Sequence, residues 1–225
     1  MKPNLETILI ELCVNHFDDK NDWYNWRKIN ESKIPQGIIL PQGNQYLKNI
    51  VLKEKLHNKW LTANDDIKKG ELIEYYIKIW GGIKGNKESA MNEYKTQNAD
   101  TLIEKGVKGV ASWSKALVLH DWNKYAIFDA RVSCSLNAIQ ITHSIDEKKL
   151  FPILASQNKR IIIANKKLKS ISKENSWLKP DELQFYREYL KLLSFVSKEL
   201  NSNISTVEMF LFAKAEEFIE KAGLR

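Results

Sequence analysis

A lysine at position 115 is followed fourteen residues later by an aspartate, and each stands where one kind of sequence gives way to another. Lys115 lies in Ser112-Trp113-Ser114-Lys115-Ala116-Leu117, which reads as the first turn of an amphipathic helix over 113–121 capped by Ser112. Asp129 closes the uncharged run Tyr125-Ala126-Ile127-Phe128 and opens a helix over 130–140. A lysine amine must lose its proton before it can form a Schiff base. The positive end of a helix dipole disfavours the ammonium, and burial against Trp113 and Leu119 works in the same direction. An aspartate at a helix start can cap that helix, stabilise an oxocarbenium-like cation, or move protons to and from a lysine adduct.

The residues around this pair suit a polyanion. Gly106-Val107-Lys108-Gly109-Val110 is a turn of the kind that offers backbone N–H groups to a phosphate. Arg131 has the fork geometry to hold a phosphate, to pair with Asp129, or to make a structural salt bridge. Trp80-Gly81-Gly82-Ile83-Lys84-Gly85-Asn86 is a second glycine turn, with Lys84 beside it. Its glycines allow close approach to a base or a phosphate, and the turn also serves as a helix stop over a core tryptophan. Seven tryptophans are many for this length. Most aromatics are core residues, but an extruded base is read by stacking, and Trp113 is the candidate nearest the lysine.

Turn, lysine, apolar run and aspartate, in this order, resemble the catalytic centre of the helix–hairpin–helix DNA glycosylases. The likeness is to short bacterial proteins with an 8-oxoguanine glycosylase fold, which share Ser/Thr-Lys-apolar-Leu followed by Asp-x-Arg-Val. It runs from Trp80 to Leu136 and elsewhere covers helical pattern alone. It departs from the larger members of the superfamily, where the lysine follows the second glycine almost directly. Here five residues lie between Gly109 and Lys115, and the lysine-to-aspartate interval is also shorter, which makes Lys108 a rival nucleophile.

The resemblance implies a bifunctional DNA glycosylase with AP lyase activity. Lys115 would attack the sugar C1′ and Asp129 would steady the charge that develops there. Gly106, Lys108, Gly109, Arg131 and Lys84 would contact DNA, and Trp113, Trp80 and Phe212 would line the base pocket, the last of these from the final helix. The substrate would be duplex DNA carrying 8-oxoguanine or another modified base, acted on by a monomer without metal or organic cofactor. Alternatives are a phage-defence glycosylase acting on hypermodified bases, a non-catalytic DNA-binding module of the same fold, and a helical protein-interaction domain whose charge is incidental. The implied fold is mostly α, a two-lobed glycosylase-like unit over 1–225 with at most a few short strands. Its helical lobes would take roughly 1–100 with 180–225, and its hairpin and catalytic region 101–145.

The elements read from periodicity agree with a mostly helical chain. Leu5, Ile8, Leu9 and Leu12 share a face and predict a helix over 4–16. The polar stretch 17–36, with Trp23 and Trp26, reads as loop or short helix, and 38–41 as a short extended piece. Helices follow over 44–61 and 69–80, the latter stopped by Gly81-Gly82, and over 87–105, ended by Gly106. Pro180 suits a first helical position. Beyond it Tyr186, Tyr189, Leu190, Leu193, Val196 and Leu200 form one face. Ser205 with Glu208 reads as a capping box for a last helix over 206–222.

The 225 residues are enough for one domain with a packed interior, and the hydrophobic fraction is 43%. Net charge is +7 and the isoelectric point near 9.2. Lys159-Arg160, Lys166-Lys167, Lys169 and Lys173 concentrate that charge, and phosphate contacts from them would weaken with salt. Two distant cysteines give no disulfide framework, and four histidines without helix-face spacing argue against a zinc site. Leu5 to Val14 is broken by Glu6 and Glu11 and carries no cleavage signal. No stretch approaches the ~20 apolar residues of a membrane span. The expectation is a cytoplasmic protein.

Overall fold

The computed structural model describes residues 3–14, 16–17, 23–26, 28–145 and 147–225. The protein is mostly helical. In chain order the helices are α1 (Leu5–Val14), α2 (Gln45–Thr62), α3 (Asp66–Glu74), α4 (Glu88–Thr96), α5 (Ala99–Ile103), α6 (Val110–His120), α7 (Ala130–Thr142), α8 (Lys159–Glu174), α9 (Phe185–Glu199), α10 (Ile204–Ala213) and α11 (Ala215–Lys221). A short 3₁₀ turn covers Glu31–Lys33, and Tyr75–Trp80 continues α3 as a π-helix. Among the described residues extended pairing is confined to an isolated parallel bridge between Lys149 and Leu178. Of the polar stretch 17–36, positions 18–22 and 27 lie outside the described residues.

Asparagine and aspartate set the boundaries of these helices. The side chains of Asn44, Asp65, Asn98, Asp129, Asn158 and Asn203 each accept a backbone N–H from the turn they precede. Three sequence expectations fail for this reason. The helix expected over 87–105 is two helices, because Gln97 is extended and Asn98 starts a new turn. The Ser205–Glu208 capping box does not form. Asn203 takes the cap through the Thr206 amide at 2.8 Å, and the helix breaks again at Lys214. Pro180 precedes a turn closed by Asp181, which accepts the Leu183 and Gln184 amides, and α9 begins only at Phe185. The basic segment is itself a helix, α8, whose stripe Ile161, Ala164, Leu168 and Ser172 is buried while its lysines stay exposed.

Helix α6 packs against α2, α3, α4, α5 and the π-helical segment. Helix α7 packs instead with α8, α10 and α11, and α9 with α1 and α10. Helix α6 thus joins the helices before it, and α7 the helices after it. Helix α10 reaches across to α2. Between α6 and α7 the run 125–128 is buried and belongs to no helix or sheet that would satisfy its backbone. Helix α9 supplies the partners: Tyr186 Oη donates to the Ala126 carbonyl at 2.7 Å and Tyr189 Oη to that of Ile127 at 2.8 Å.

Candidate active site

Two glycines shape the turn before α6. Gly106 (φ 59°) and Gly109 (φ 74°) both lie in the left-handed region, and a Cβ on Gly106 would stand 2.5 Å from the Glu182 carbonyl oxygen. The helix opens at Val110, directly after Gly109 and without a side-chain cap. Ser112 is therefore inside the helix rather than its cap, and it exchanges hydrogen bonds of 3.0 and 3.1 Å with Asn86. Lys115 is in the second turn, not the first. Its side chain runs back toward the helix start, as long helical side chains do, and Nζ donates to the Ala111 carbonyl at 2.8 Å.

One hydroxyl ties the lysine's helix to the aspartate's run. Ser114 Oγ donates to the Val110 carbonyl at 2.6 Å and accepts the Phe128 amide at 3.1 Å. With the two tyrosines of α9, this fixes where the run ends and Asp129 begins. Asp129 caps α7 through Oδ1, which accepts the Arg131 and Val132 amides at 2.9 and 3.1 Å. The structure brings Lys115 and Asp129 to the same cleft, which encloses about 500 Å³ with its open mouth included.

Trp26, Trp80 and Phe212 give the cleft aromatic walls. Trp80 is held on both sides, stacking on Tyr76 at 4.5 Å and donating Nε1 to Asn49 Oδ1 at 2.9 Å. Gly81 follows it, and a Cβ there would meet Lys115 Cε at 2.9 Å and two backbone carbonyls closer than 3 Å. The close approach expected of this glycine is thus to the lysine stem. The rest of the lining includes Tyr24, Asn49 and Glu208. Glu208 forms a buried ion pair with Lys53. Burial pushes the Glu208 carboxyl above its ordinary value, while the Lys53 ammonium opposes that rise.

Other residues singled out in the sequence lie elsewhere. Trp113 is fully buried outside the cleft lining, edge-on to Tyr186, with Nε1 donating to the Lys108 carbonyl. It is a core residue, because the face of α6 that carries it packs inward. Arg131 makes the structural salt bridge: Nη1 pairs with Glu216 at 3.0 Å and Nε donates to the Phe212 carbonyl at 2.9 Å. Its guanidinium lies 4.2 Å from the Trp26 ring centroid, so it buttresses the cleft wall and is not presented to a phosphate. Lys84 and Lys108 are exposed and outside the lining.

Sequence reasoning missed Tyr24, Trp26, Asn49, Lys53 and Glu208. Asn49 and Lys53 are spaced i, i+4 on α2, next to the core residues Leu52 and Leu56, and such a polar stripe inside an apolar face was the available signal. Among the described residues no three His, Cys, Asp or Glu side chains are grouped to hold a metal ion, and no helix is long and apolar enough to cross a membrane. No family model matches the chain, and no curated protein or solved structure matches it.

Proposed function

We propose that this protein is a helix–hairpin–helix type DNA glycosylase with AP lyase activity, acting on a modified base in duplex DNA. The observation that carries the reading is the convergence of Lys115 and Asp129, from separate helices, in one aromatic-walled cleft. The tight Gly106–Gly109 turn before the lysine's helix and the exposed lysines of α8 support DNA as the partner. Extruding the target nucleotide costs a few kcal/mol, and stacking against Trp26, Trp80 or Phe212 offsets that cost.

In this mechanism the neutral Lys115 amine attacks C1′ as the C1′–N bond breaks, and the base departs with the bonding pair and takes up a proton. Asp129 keeps Oδ1 on the α7 amides, which leaves Oδ2 to face the cationic sugar. The sugar ring then opens to a protonated Schiff base on Lys115. Loss of a C2′ proton expels the 3′ phosphate and cuts the strand. Borohydride tests the assignment directly, because reduction of the Schiff base fixes the protein covalently to DNA. The wild-type protein should be trapped on a duplex with an abasic site, and Lys115→Gln should bind that duplex without being trapped. Trapping of Lys115→Gln together with loss of trapping in Lys108→Gln would move the nucleophile to the hairpin.

A further inference from the structure

Behind the reactive pair lies a second pair of charges. Lys53 of α2 and Glu208 of α10 form an ion pair whose side chains are 1% and 4% exposed. The attraction within a buried ion pair commonly fails to offset the desolvation of its two charges, so stability alone is a poor reason for its presence. Its position supplies a better one. Glu208 lines the cleft with Lys115 and Asp129, and its carboxyl interacts electrostatically with Lys53, Asp129 and Lys115. Lys53 engages Oε2 of that carboxylate from the protein side. Glu208 therefore links Lys53, which lies outside the lining, to the two charged residues that share its cleft.

The surroundings of Lys115 otherwise hold its proton. Nζ donates to the Ala111 carbonyl, and two carboxylates, Asp129 from the start of α7 and Glu208 from α10, share its cleft. The Tyr24 phenol lines the same space; the π-helical segment contributes Trp80, its cap is Gly81, and the buried Tyr76 phenol of that segment interacts with Glu208. From α2, His57 binds the Leu119 carbonyl one turn further along α6. Lys53 is the cation placed to oppose the Glu208 carboxylate. We propose that the Lys53–Glu208 pair sets the charge state of the Lys115 amine, with Lys53 screening the Glu208 charge so that Lys115 can give up its proton. Both are positioning residues: they act on the nucleophile and do not touch the sugar. The inference rests on the reading of Lys115 as the nucleophile.

The experiment titrates Lys115 itself in the full-length protein, by the chemical shift of a ¹³Cε lysine label assigned through its loss in Lys115→Gln. Borohydride trapping on abasic duplex is followed over the same pH range. Lys53→Met leaves the Glu208 charge unopposed, so the Lys115 midpoint and the acid limb of trapping should rise by about one pH unit, the size a single near charge imposes. Glu208→Gln leaves Lys53 unopposed and should lower both by a similar amount. The double variant removes both charges and should return to the wild-type midpoint. Because it leaves no lone buried charge, it should also fold where a single variant does not. If Lys53→Met does not fold, Glu208→Gln compared with the double variant still decides, since the two differ only at Lys53 and glutamine keeps an acceptor for it. Unmoved midpoints, or shifts of the same sign in the two single variants, would overturn the proposal. Opposite shifts without any trapping of the wild type would uphold the charge coupling and remove the glycosylase reading instead.

Discussion

Asp129 is assigned two roles, and one substitution separates them. In the cap, Oδ1 accepts the Arg131 and Val132 amides at 2.9 and 3.1 Å. Asparagine keeps an oxygen at that position and is about as good a cap as aspartate. What Asp129→Asn loses on folding is the attraction of a carboxylate for the α7 N-terminus, about 0.3–1 kcal/mol. For a chain of this length that is a fall in melting temperature of about 4 °C at most. Asp129→Ala would lose the cap as well, a further ~1 kcal/mol. The catalytic loss is of another size. A carboxylate that steadies a developing cation in a water-poor cleft contributes roughly 3–5 kcal/mol, which is about a hundredfold to several thousandfold in rate. The assay is single-turnover excision on the best substrate from a screen of oligonucleotides with different modified bases, beside a melting curve for each variant. Asp129→Asn should be folded and slow on the lesion. It should still be trapped on a pre-formed abasic site, where the bond it helps to break is already gone. Excision at the wild-type rate by a folded Asp129→Asn would refute the catalytic role and leave the residue a cap.

Gly81→Ala should disturb the site from behind, since its Cβ would press on Lys115 Cε at 2.9 Å and on the Ile77 and Tyr76 carbonyls at 2.7 and 2.9 Å. Backbone must shift, so trapping should slow at least tenfold and stability should fall by about 1–3 kcal/mol; unchanged trapping and melting would show that the π-helical segment yields freely. A pH effect is expected from His120, which stacks on Trp60 at 4.7 Å. Burial, with Lys69 and His57 adding to it, pulls that imidazole from its ordinary 6.5 down to about 4. The fold therefore holds the neutral ring, and the stability this contributes is present above pH 6.5 and lost as pH falls toward 4. The loss should reach roughly 2–4 kcal/mol. Urea titrations should show His120→Asn with a shallower acid slope than wild type, and an equal slope would place the acid sensitivity elsewhere.

The sequence made the Lys115–Asp129 pair of the cleft legible because each residue sits near a change of pattern. Lys115 lies on an apolar helix that follows a glycine turn, and Asp129 ends an apolar run before the next helix. Trp80 and Phe212 were within reach for a similar reason, one beside a glycine stop and one in the last apolar helix. Helix phase could not be read so well. Trp113 is two residues before Lys115, about 200° around the helix, so both cannot face the same cleft. Counting from a start at Val110 places the tryptophan in the core; the assumed start at 113 obscured this. The boundary error came from trusting Ser112 as a cap when a left-handed Gly109 already ended the turn.

Glu208 shows what local reading cannot supply. Three residues after a serine and ahead of apolar sequence, a glutamate satisfies the capping-box pattern completely. What excludes it is the asparagine two residues earlier, which already satisfies the first-turn amide, and a lysine 155 positions away that reaches the carboxylate. Lys53 was equally hidden, since a lysine on a helix next to charged neighbours is ordinarily solvated. Each residue of the pair makes the burial of the other tolerable, and neither carries a mark of it alone. The consequence for the cleft is specific. Its lining charges come from α6, the start of α7 and α10, so the sequence near Lys115 can nominate a nucleophile, but the Lys53–Glu208 pair beside it is assembled only in the folded chain.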